Sequence, residues 1–393
     1  MSQCKVWLDN YNGQFYPGVQ IQGKVVLNFD SDTKLRKVVV KILCHEHTEW
    51  MGTERYYDSQ ENQHKSRDTL FKGDNDVFST EQILYGGLSG TTSLSRGQHM
   101  YPFTITLPNN LPGTYNGEYG SVSYRLLAIV DRPMAFDYED QLIFVVVAPI
   151  TLNTQATPEL EAPSSYSEEK TICCWCCAQG PLSMDVNLPK KTLVSGETVN
   201  ITARLTNMSN TNVEGINLQL IQKIICLTNE PSREEKETSN ILVDINEVGL
   251  GAHGEHTYNF SVMLPANVPI PNFTECKLFK VEYVYKVVAK LPSVHKNLEV
   301  YMYPVVGNIL SNQGYQGGFI PPSGGFVPIT PPSGFDPGAR YPPPVGGVPV
   351  YPQLAPTAPP ADYNPKAQEA AGMAGGNAPS ELPPPSYDSL NMN

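Results

Sequence analysis

No run of apolar residues in the chain approaches the roughly 18 that a membrane-spanning helix requires. The longest, Leu142 to Ile150, is interrupted at Pro149. The opening residues MSQCKVWLDN carry no hydrophobic h-region, so no secretory leader is expected. Both observations argue against a transmembrane receptor and against a secreted protein. Basic charge is also scarce, with 27 Lys and Arg against 39 Asp and Glu and a net charge of −12. Neutralising phosphates takes clustered cations, so no nucleic-acid surface is expected, and the acidity reads as a solubility property. Catalytic signatures are missing too. There is no Gly-rich phosphate loop, no G-x-S-x-G and no H-E-x-x-H. The expectation is a protein that is not an enzyme and holds no cofactor.

Metal and thiol chemistry have little to build on. His45-Glu46-His47 offers two imidazoles and a carboxylate, and on a strand His45 and His47 share one face. No third ligand is evident in the sequence, so the patch reads as an ordinary strand-end cluster and no metal is expected. The eight cysteines are uneven. Cys4, Cys44, Cys226 and Cys276 are scattered, while Cys173, Cys174, Cys176 and Cys177 crowd around Trp175. A disulfide framework would be spread out and accompanied by a secretory leader, so a reducing, cytosolic compartment is expected. The crowded cysteines have three readings: inert thiols at a domain start, palmitoylation at a membrane surface, or a metal or redox site. The sequons beginning at Asn200, Asn207, Asn259 and Asn272 read as strand and turn sequence.

What is present divides the chain. Nineteen of the 35 prolines and 13 of the 31 glycines fall within 307–393, which has few aliphatic side chains. Such a segment cannot bury enough apolar surface to offset chain entropy, so a disordered tail is expected. Residues 1–306 instead hold short β-rich runs: Gly23–Phe29, Lys37–Leu43, Val122–Val130, Leu142–Val147, Thr198–Leu205, Asn217–Ile225, Tyr258–Met263, Lys280–Ala289 and Asn297–Tyr303. In Lys24–Phe29 and Thr198–Ala203 apolar and polar residues alternate, the period of a strand with one buried face. Many short strands separated by turn residues predict β-sandwiches. The region also repeats. Leu107-Pro108…Leu111-Pro112 is echoed by Leu264-Pro265…Val268-Pro269, and Pro17-Gly18…Gly23-Lys24-Val25 by Ser195-Gly196-Glu197-Thr198-Val199. Two related sandwiches are therefore expected, at 1–150 and 172–306, joined by a Thr-, Glu-, Ser- and Pro-rich linker at 151–171.

Pro17-Gly18, Tyr101-Pro102-Phe103, Leu107-Pro108, Leu111-Pro112, Tyr124 and Asp131-Arg132-Pro133 resemble the N-terminal arrestin domain. The cysteine cluster with Gly180-Pro181, followed by Gly196-Glu197-Thr198-Val199, resembles the second arrestin domain. The spacing is most similar to the arrestin-domain-containing proteins, the α-arrestins. That resemblance implies an all-β chain of two arrestin-like (immunoglobulin-like) sandwiches meeting at a concave face. It also implies adaptor work in endocytic trafficking, with membrane-protein cargo as a partner. Two features of visual and β-arrestins are missing: Lys5 stands alone where those proteins carry a phosphate-sensing lysine pair, and the tail has no acidic-aliphatic clathrin box.

Three short motifs lie in the tail. Pro384-Pro385-Ser386-Tyr387 is a P-P-x-Y sequence. Polyproline II is pre-organised, so the prolines can lie on an aromatic-lined groove while Tyr387 fills a separate pocket. It resembles the ligand of WW domains in HECT-type ubiquitin ligases. Pro356-Thr357-Ala358-Pro359 resembles the motif captured by the UEV domain of the first ESCRT complex. Tyr351-Pro352-Gln353-Leu354 is similar to the Y-P-x-L ligand of Bro1-family ESCRT adaptors, and also fits a Y-x-x-Φ sorting signal, as does Tyr387-Asp388-Ser389-Leu390. The resulting expectation is a cytoplasmic adaptor, peripheral at plasma membrane and endosomes. It would link membrane cargo to WW-domain ligases through P-P-x-Y and to ESCRT factors through the other two motifs. The alternatives are a phosphate-sensing receptor-desensitising arrestin and a cysteine-centred metal or redox protein.

Overall fold

The computed structural model describes residues 3–87, 90–154, 156–174, 177–292 and 295–311. The tail motifs at 351–354, 356–359 and 384–387 lie outside the described residues, as does Cys176. Strands run in chain order β1 (Gln3–Leu8), β2 (Gln20–Phe29), β3 (Thr33–Leu35), β4 (Lys37–Asp58), β5 (Gln63–Gly86), β6 (Thr92–Leu94), β7 (Gly97–Thr106), β8 (Tyr115–Gly117), β9 (Gly120–Asp131) and β10 (Tyr138–Phe144). Next come β11 (Thr151–Asn153), a 3-10 turn at Pro158–Leu160, β12 (Ser164–Cys174), β13 (Cys177–Leu188), β14 (Thr192–Val194), β15 (Thr198–Asn207) and β16 (Val213–Leu227). The last are β17 (Glu235–Leu250), β18 (Glu255–Met263), β19 (Phe279–Lys290), β20 (Leu298–Met302), β21 (Val305–Gly307) and β22 (Ile309–Ser311). Among the described residues no helix is long and apolar enough to cross a membrane.

The strands build two sandwiches with one plan. In the first, the sheet β1-β2-β7 faces the sheet β10-β9-β4-β5, with β8 on β9. In the second, β12-β13-β15-β18 faces β17-β16-β19-β20. Alternation decides what fills them. Along β2, Ile21, Val25, Leu27 and Phe29 point inward, and along β15 Val199, Ile201, Ala203 and Leu205 do so, as the period of two predicts. The first set meets Val40, Ile42 and Leu126 in one core; the second meets Leu218, Leu220 and Val287 in another.

The sequence repeat is a backbone repeat. Gly18 donates its N–H to the carbonyl of Leu107 (3.1 Å), and Leu107 donates back to Val19 (2.9 Å). In the second sandwich Gly196 donates to Leu264 (2.8 Å) and Leu264 to Glu197 (3.1 Å). Both glycines sit at positive φ, +82° and +80°, a conformation that costs a residue with a Cβ and costs glycine nothing sterically. Leu107 and Leu264 are both buried, each anchoring a strand end to the turn that precedes its neighbour.

Two long strands, β5 and β17, lie outside the β-rich runs read from the sequence. Each is an edge strand, carried by a long antiparallel ladder to β4 or β16 that is interrupted by bulges. Along β5 the fully buried positions are Phe71 and Gly73; the rest is polar or half-exposed. Charged side chains on such an edge discourage pairing with a further strand. The described strands continue through β22, which pairs in parallel with β11, while β21 pairs with β14.

Candidate functional site

Strand β4 carries the most unusual buried side chain. Its alternation places Cys44, Glu46, Thr48 and Trp50 inward and His45 and His47 outward. Glu46 is fully buried. A buried carboxylate is stable only when its oxygens are occupied. Asn75 Nδ2 and the backbone N–H of Lys277 donate to Oε1 at 2.7 and 2.8 Å, and the backbone N–H of Leu278 donates to Oε2 at 2.9 Å. Asn75 is the cross-strand neighbour of Glu46 on β5. Lys277 and Leu278 belong to the second sandwich, at the entrance to β19. One carboxylate of the first sandwich therefore holds two backbone donors of the second.

Other bonds extend this seam. Thr48 Oγ1 donates to the carbonyl of Leu227 (2.6 Å), the backbones of Lys72 and Glu230 exchange two hydrogen bonds of 2.9 Å, and Gly113 donates to Asn272 (2.9 Å). Apolar groups close it. Ile224, Cys226, Leu278 and Phe279 of the second sandwich join the core of the first, and Tyr115 packs edge-on against Phe273 and Phe279 with ring centroids 5.0 and 5.5 Å apart. Close approach is needed here: a Cβ on Gly73 would lie 2.7 Å from Thr48 Oγ1 and 3.0 Å from Leu278 Cδ1. The Lys277 ammonium turns to Asn75 Oδ1 (3.3 Å) rather than to Glu46. Position 46 has no polar counterpart in the second sandwich. Cys44 and Gln222 stand opposite Tyr124 and Tyr283, so two residues on from each the pair is Glu46 and Ile224.

On the opposite face of the same strands, His47 Nδ1 and His45 Nε2 lie 2.8 and 3.1 Å from one oxygen of Asp74, and His45 Nδ1 lies 2.8 Å from Asp76. Burial works to raise the Asp74 carboxyl, but the hydrogen bonds from His47 and His45 and their charge outweigh it and hold the group below its ordinary value. The sequence located both histidines on one face but not Asp74 or Asp76, because strand β5 itself was not legible.

Lys5 is engaged by Asp140, 3.3 Å away, whose other oxygen accepts the N–H of Val6 at 2.9 Å. Cys4, Cys44 and Cys226 are buried free thiols, each pushed up to about 12 chiefly by burial. Burial also drives the Cys276 thiol far above its ordinary value, with Glu46 and Cys44 adding to the shift. Cys173 and Cys174 end β12 and Cys177 begins β13, and the backbones of Cys174 and Cys177 stand opposite one another in that antiparallel pair.

Comparison with known proteins matches this two-part body in order. Residues 4–153 match the family model for the arrestin (or S-antigen) N-terminal domain, and 178–309 match that for the C-terminal domain. The chain is 28% identical over 223 residues to arrestin domain-containing protein 4 of Mus musculus, which is 56% of this chain and 51% of that protein. It is 23% identical over 315 residues to arrestin domain-containing protein 17 of Caenorhabditis elegans, 79% of this chain and 71% of the relative. It is 23% identical over 313 residues to arrestin domain-containing protein 1 of Homo sapiens, 79% of this chain and 63% of the relative. The match thus spans between half and about seven-tenths of each relative's own length. With both domain models matched in sequence order onto two sandwiches of one plan, the chain belongs to the arrestin family, and within it to the arrestin-domain-containing type.

Proposed function

We propose that this arrestin-type adaptor is a non-enzymatic bridge between membrane-protein cargo and WW-domain HECT-type ubiquitin ligases. In this reading the sandwiches at 1–150 and 172–306 engage cargo at plasma membrane and endosomes. The tail at 307–393 recruits the ligase through Pro384, Pro385 and Tyr387. Ubiquitin transfer belongs to the ligase; this chain positions it. The observation that carries the reading is the P-P-x-Y sequence in the same chain as the arrestin pair. Pro356–Pro359 and Tyr351–Leu354 add ESCRT factors as further partners, favouring sorting or vesicle budding. Each short motif binds weakly alone, and several on one tail raise the local concentration of the machinery at a membrane. Acylation of Cys173, Cys174, Cys176 and Cys177 would add membrane affinity.

Phosphate-triggered desensitisation is the weaker reading, because the start of the sequence holds no adjacent lysine pair and Lys5, which stands there alone, is paired with Asp140. Proximity labelling in cells with wild type and Tyr387→Ala side by side tests the adaptor reading. The expected result is loss of ligase labelling with cargo labelling retained. Equal ligase labelling by both proteins would contradict it.

A further inference from the structure

The outer face of β4 and β5 brings together four side chains of metal-binding type. Three cross-strand pairs stand in register: His45 with Asp76, Glu46 with Asn75, and His47 with Asp74. The middle pair turns inward to the seam. The outer pairs, two imidazoles and two carboxylates, share the other face, and the three candidate ligand atoms of His45, His47 and Asp74 lie within 4.8 Å of one another. A β-bulge makes this possible. Cys44 pairs with Phe78 and His45 with Asp76, leaving Val77 as the extra residue. Phe78 and Asp76 are two apart and would share a face in a regular strand. The bulge lets Phe78 pack against the core while Asp76 faces outward beside His45.

The geometry around His45 suits a cation. Its Nδ1 faces Asp76 Oδ1 at 2.8 Å and its Nε2 faces Asp74 Oδ1 at 3.1 Å. An ionised carboxylate only accepts, and a neutral imidazole has one N–H to give. A protonated ring gives one N–H to each carboxylate; a neutral ring with its N–H on Asp76 turns the Nε2 lone pair toward Asp74, and that is the form a metal ion engages. A metal ion between them would take the place of that second proton, and His47 Nδ1, 2.8 Å from the same oxygen, converges on the same point. In a tetrahedral zinc site with bonds of about 2.0–2.1 Å, ligand atoms stand about 3.3–3.4 Å apart, so a small outward shift of these groups would admit the ion.

We propose that His45 Nε2, His47 Nδ1 and Asp74 Oδ1 form a zinc site on the surface of the first sandwich, with its fourth position open to water or to an incoming ligand. Imidazole nitrogen selects Zn²⁺ over Ca²⁺ or Mg²⁺, which prefer oxygen alone. Asp76 is a positioning residue. By accepting the Nδ1–H of His45 it fixes the tautomer that presents Nε2, the carboxylate–histidine–metal arrangement found at zinc centres. Glu49 Oε2, 3.9 Å from His47 Nε2, stands where it can serve the second imidazole in the same way.

The test uses the full chain, reduced and stripped of metal, titrated with Zn²⁺ by calorimetry and with Co²⁺ by absorption. The expected signal is one equivalent of Co²⁺ with visible d–d bands and no thiolate charge-transfer absorption, which separates this site from the cysteine cluster. His45→Ala with His47→Ala should abolish that signal and the matching Zn²⁺ binding. The two imidazoles are 22% and 38% exposed, so the metal-free melting temperature should change little. Asp76→Asn keeps every ligand and should weaken Zn²⁺ about 10- to 100-fold. His45→Gln and His47→Gln serve if the alanine variant does not fold. Thiolate-type absorption as the sole signal, Zn²⁺ affinity unchanged in the histidine variants, or no binding by wild type at about 100-fold excess metal would each overturn the proposal.

Discussion

Replacing Glu46 should loosen the joint between the two sandwiches, and its partners set the size of the effect. In Glu46→Ala three donors lose their acceptor: Asn75 Nδ2 and the backbone N–H groups of Lys277 and Leu278. Hydrogen bonds to a charged acceptor contribute about 1.5–3 kcal/mol each, and bonds sharing one carboxylate are not additive, so the loss should total about 3–5 kcal/mol. Glu46→Gln separates chemistry from shape. With its oxygen at the Oε1 position the amide still accepts from Asn75 and Lys277, but its NH₂ then meets the N–H of Leu278. One bond fails, at a cost of about 1–3 kcal/mol. Urea unfolding followed by far-ultraviolet circular dichroism gives both numbers. The apolar contacts of Leu278 and Phe279 remain, so Glu46→Ala should still fold. A Glu46→Ala protein within about 1 kcal/mol of wild type would refute the reasoning. So would a Glu46→Gln cost equal to that of Glu46→Ala, since the acceptor would then be irrelevant.

Cys4, Cys44 and Cys226 have thiol values near 12 against an ordinary 9.0, so alkylation of the native protein at pH 8 should leave them unmodified while urea exposes all three to mass-spectrometric detection. Because the folded values are raised, the stability these thiols contribute is complete below pH 9 and is lost as pH climbs toward 12, an alkaline decline visible in melts across that window. Truncation after Ser311 should leave the melting temperature within about 2 °C of the full chain, whereas truncation after Pro304 removes β21 and β22 with buried Val306 and should lower it by more than about 5 °C. Pro356→Ala with Pro359→Ala removes the fixed φ and ring surfaces that a UEV groove would hold, so UEV binding and release of the protein in vesicles should fall while WW binding stays intact.

The legible part of this protein was the part set by local pattern. The alternation in β2 and β15 announced strands with one buried face. The paired Pro-Gly/Ser-Gly and Leu-Pro segments announced a duplicated sandwich, and the structure shows why: Gly18 and Gly196 make the same turn and bond the carbonyls of the matching leucines, Leu107 and Leu264. Strands β5 and β17 escaped because edge strands owe their form to the ladder on their inner side, so their own side chains need carry no apolar period. Glu46 escaped for a different reason. Between two histidines it reads as one more polar residue at a strand end, while its partners are backbone N–H groups more than 230 residues away, and backbone donors leave no mark in a sequence. Asp74 and Asp76 face the histidines only because a bulge at Val77 shifts the register, and a one-residue bulge is invisible to period counting.

The claim that this chain positions a ubiquitin ligase rests on Pro384, Pro385 and Tyr387, and it meets its most direct test in the paired proline variant. Pro384→Ala with Pro385→Ala removes the polyproline surface that a WW groove would grip and leaves the Y-x-x-Φ sequence Tyr387-Asp388-Ser389-Leu390 intact; Leu390→Ala does the reverse. The measurement is co-precipitation of HECT-type ligases together with ubiquitination of the protein in cells. The account predicts loss of both in the proline variant and wild-type levels in Leu390→Ala. Wild-type levels of both in the proline variant would contradict it.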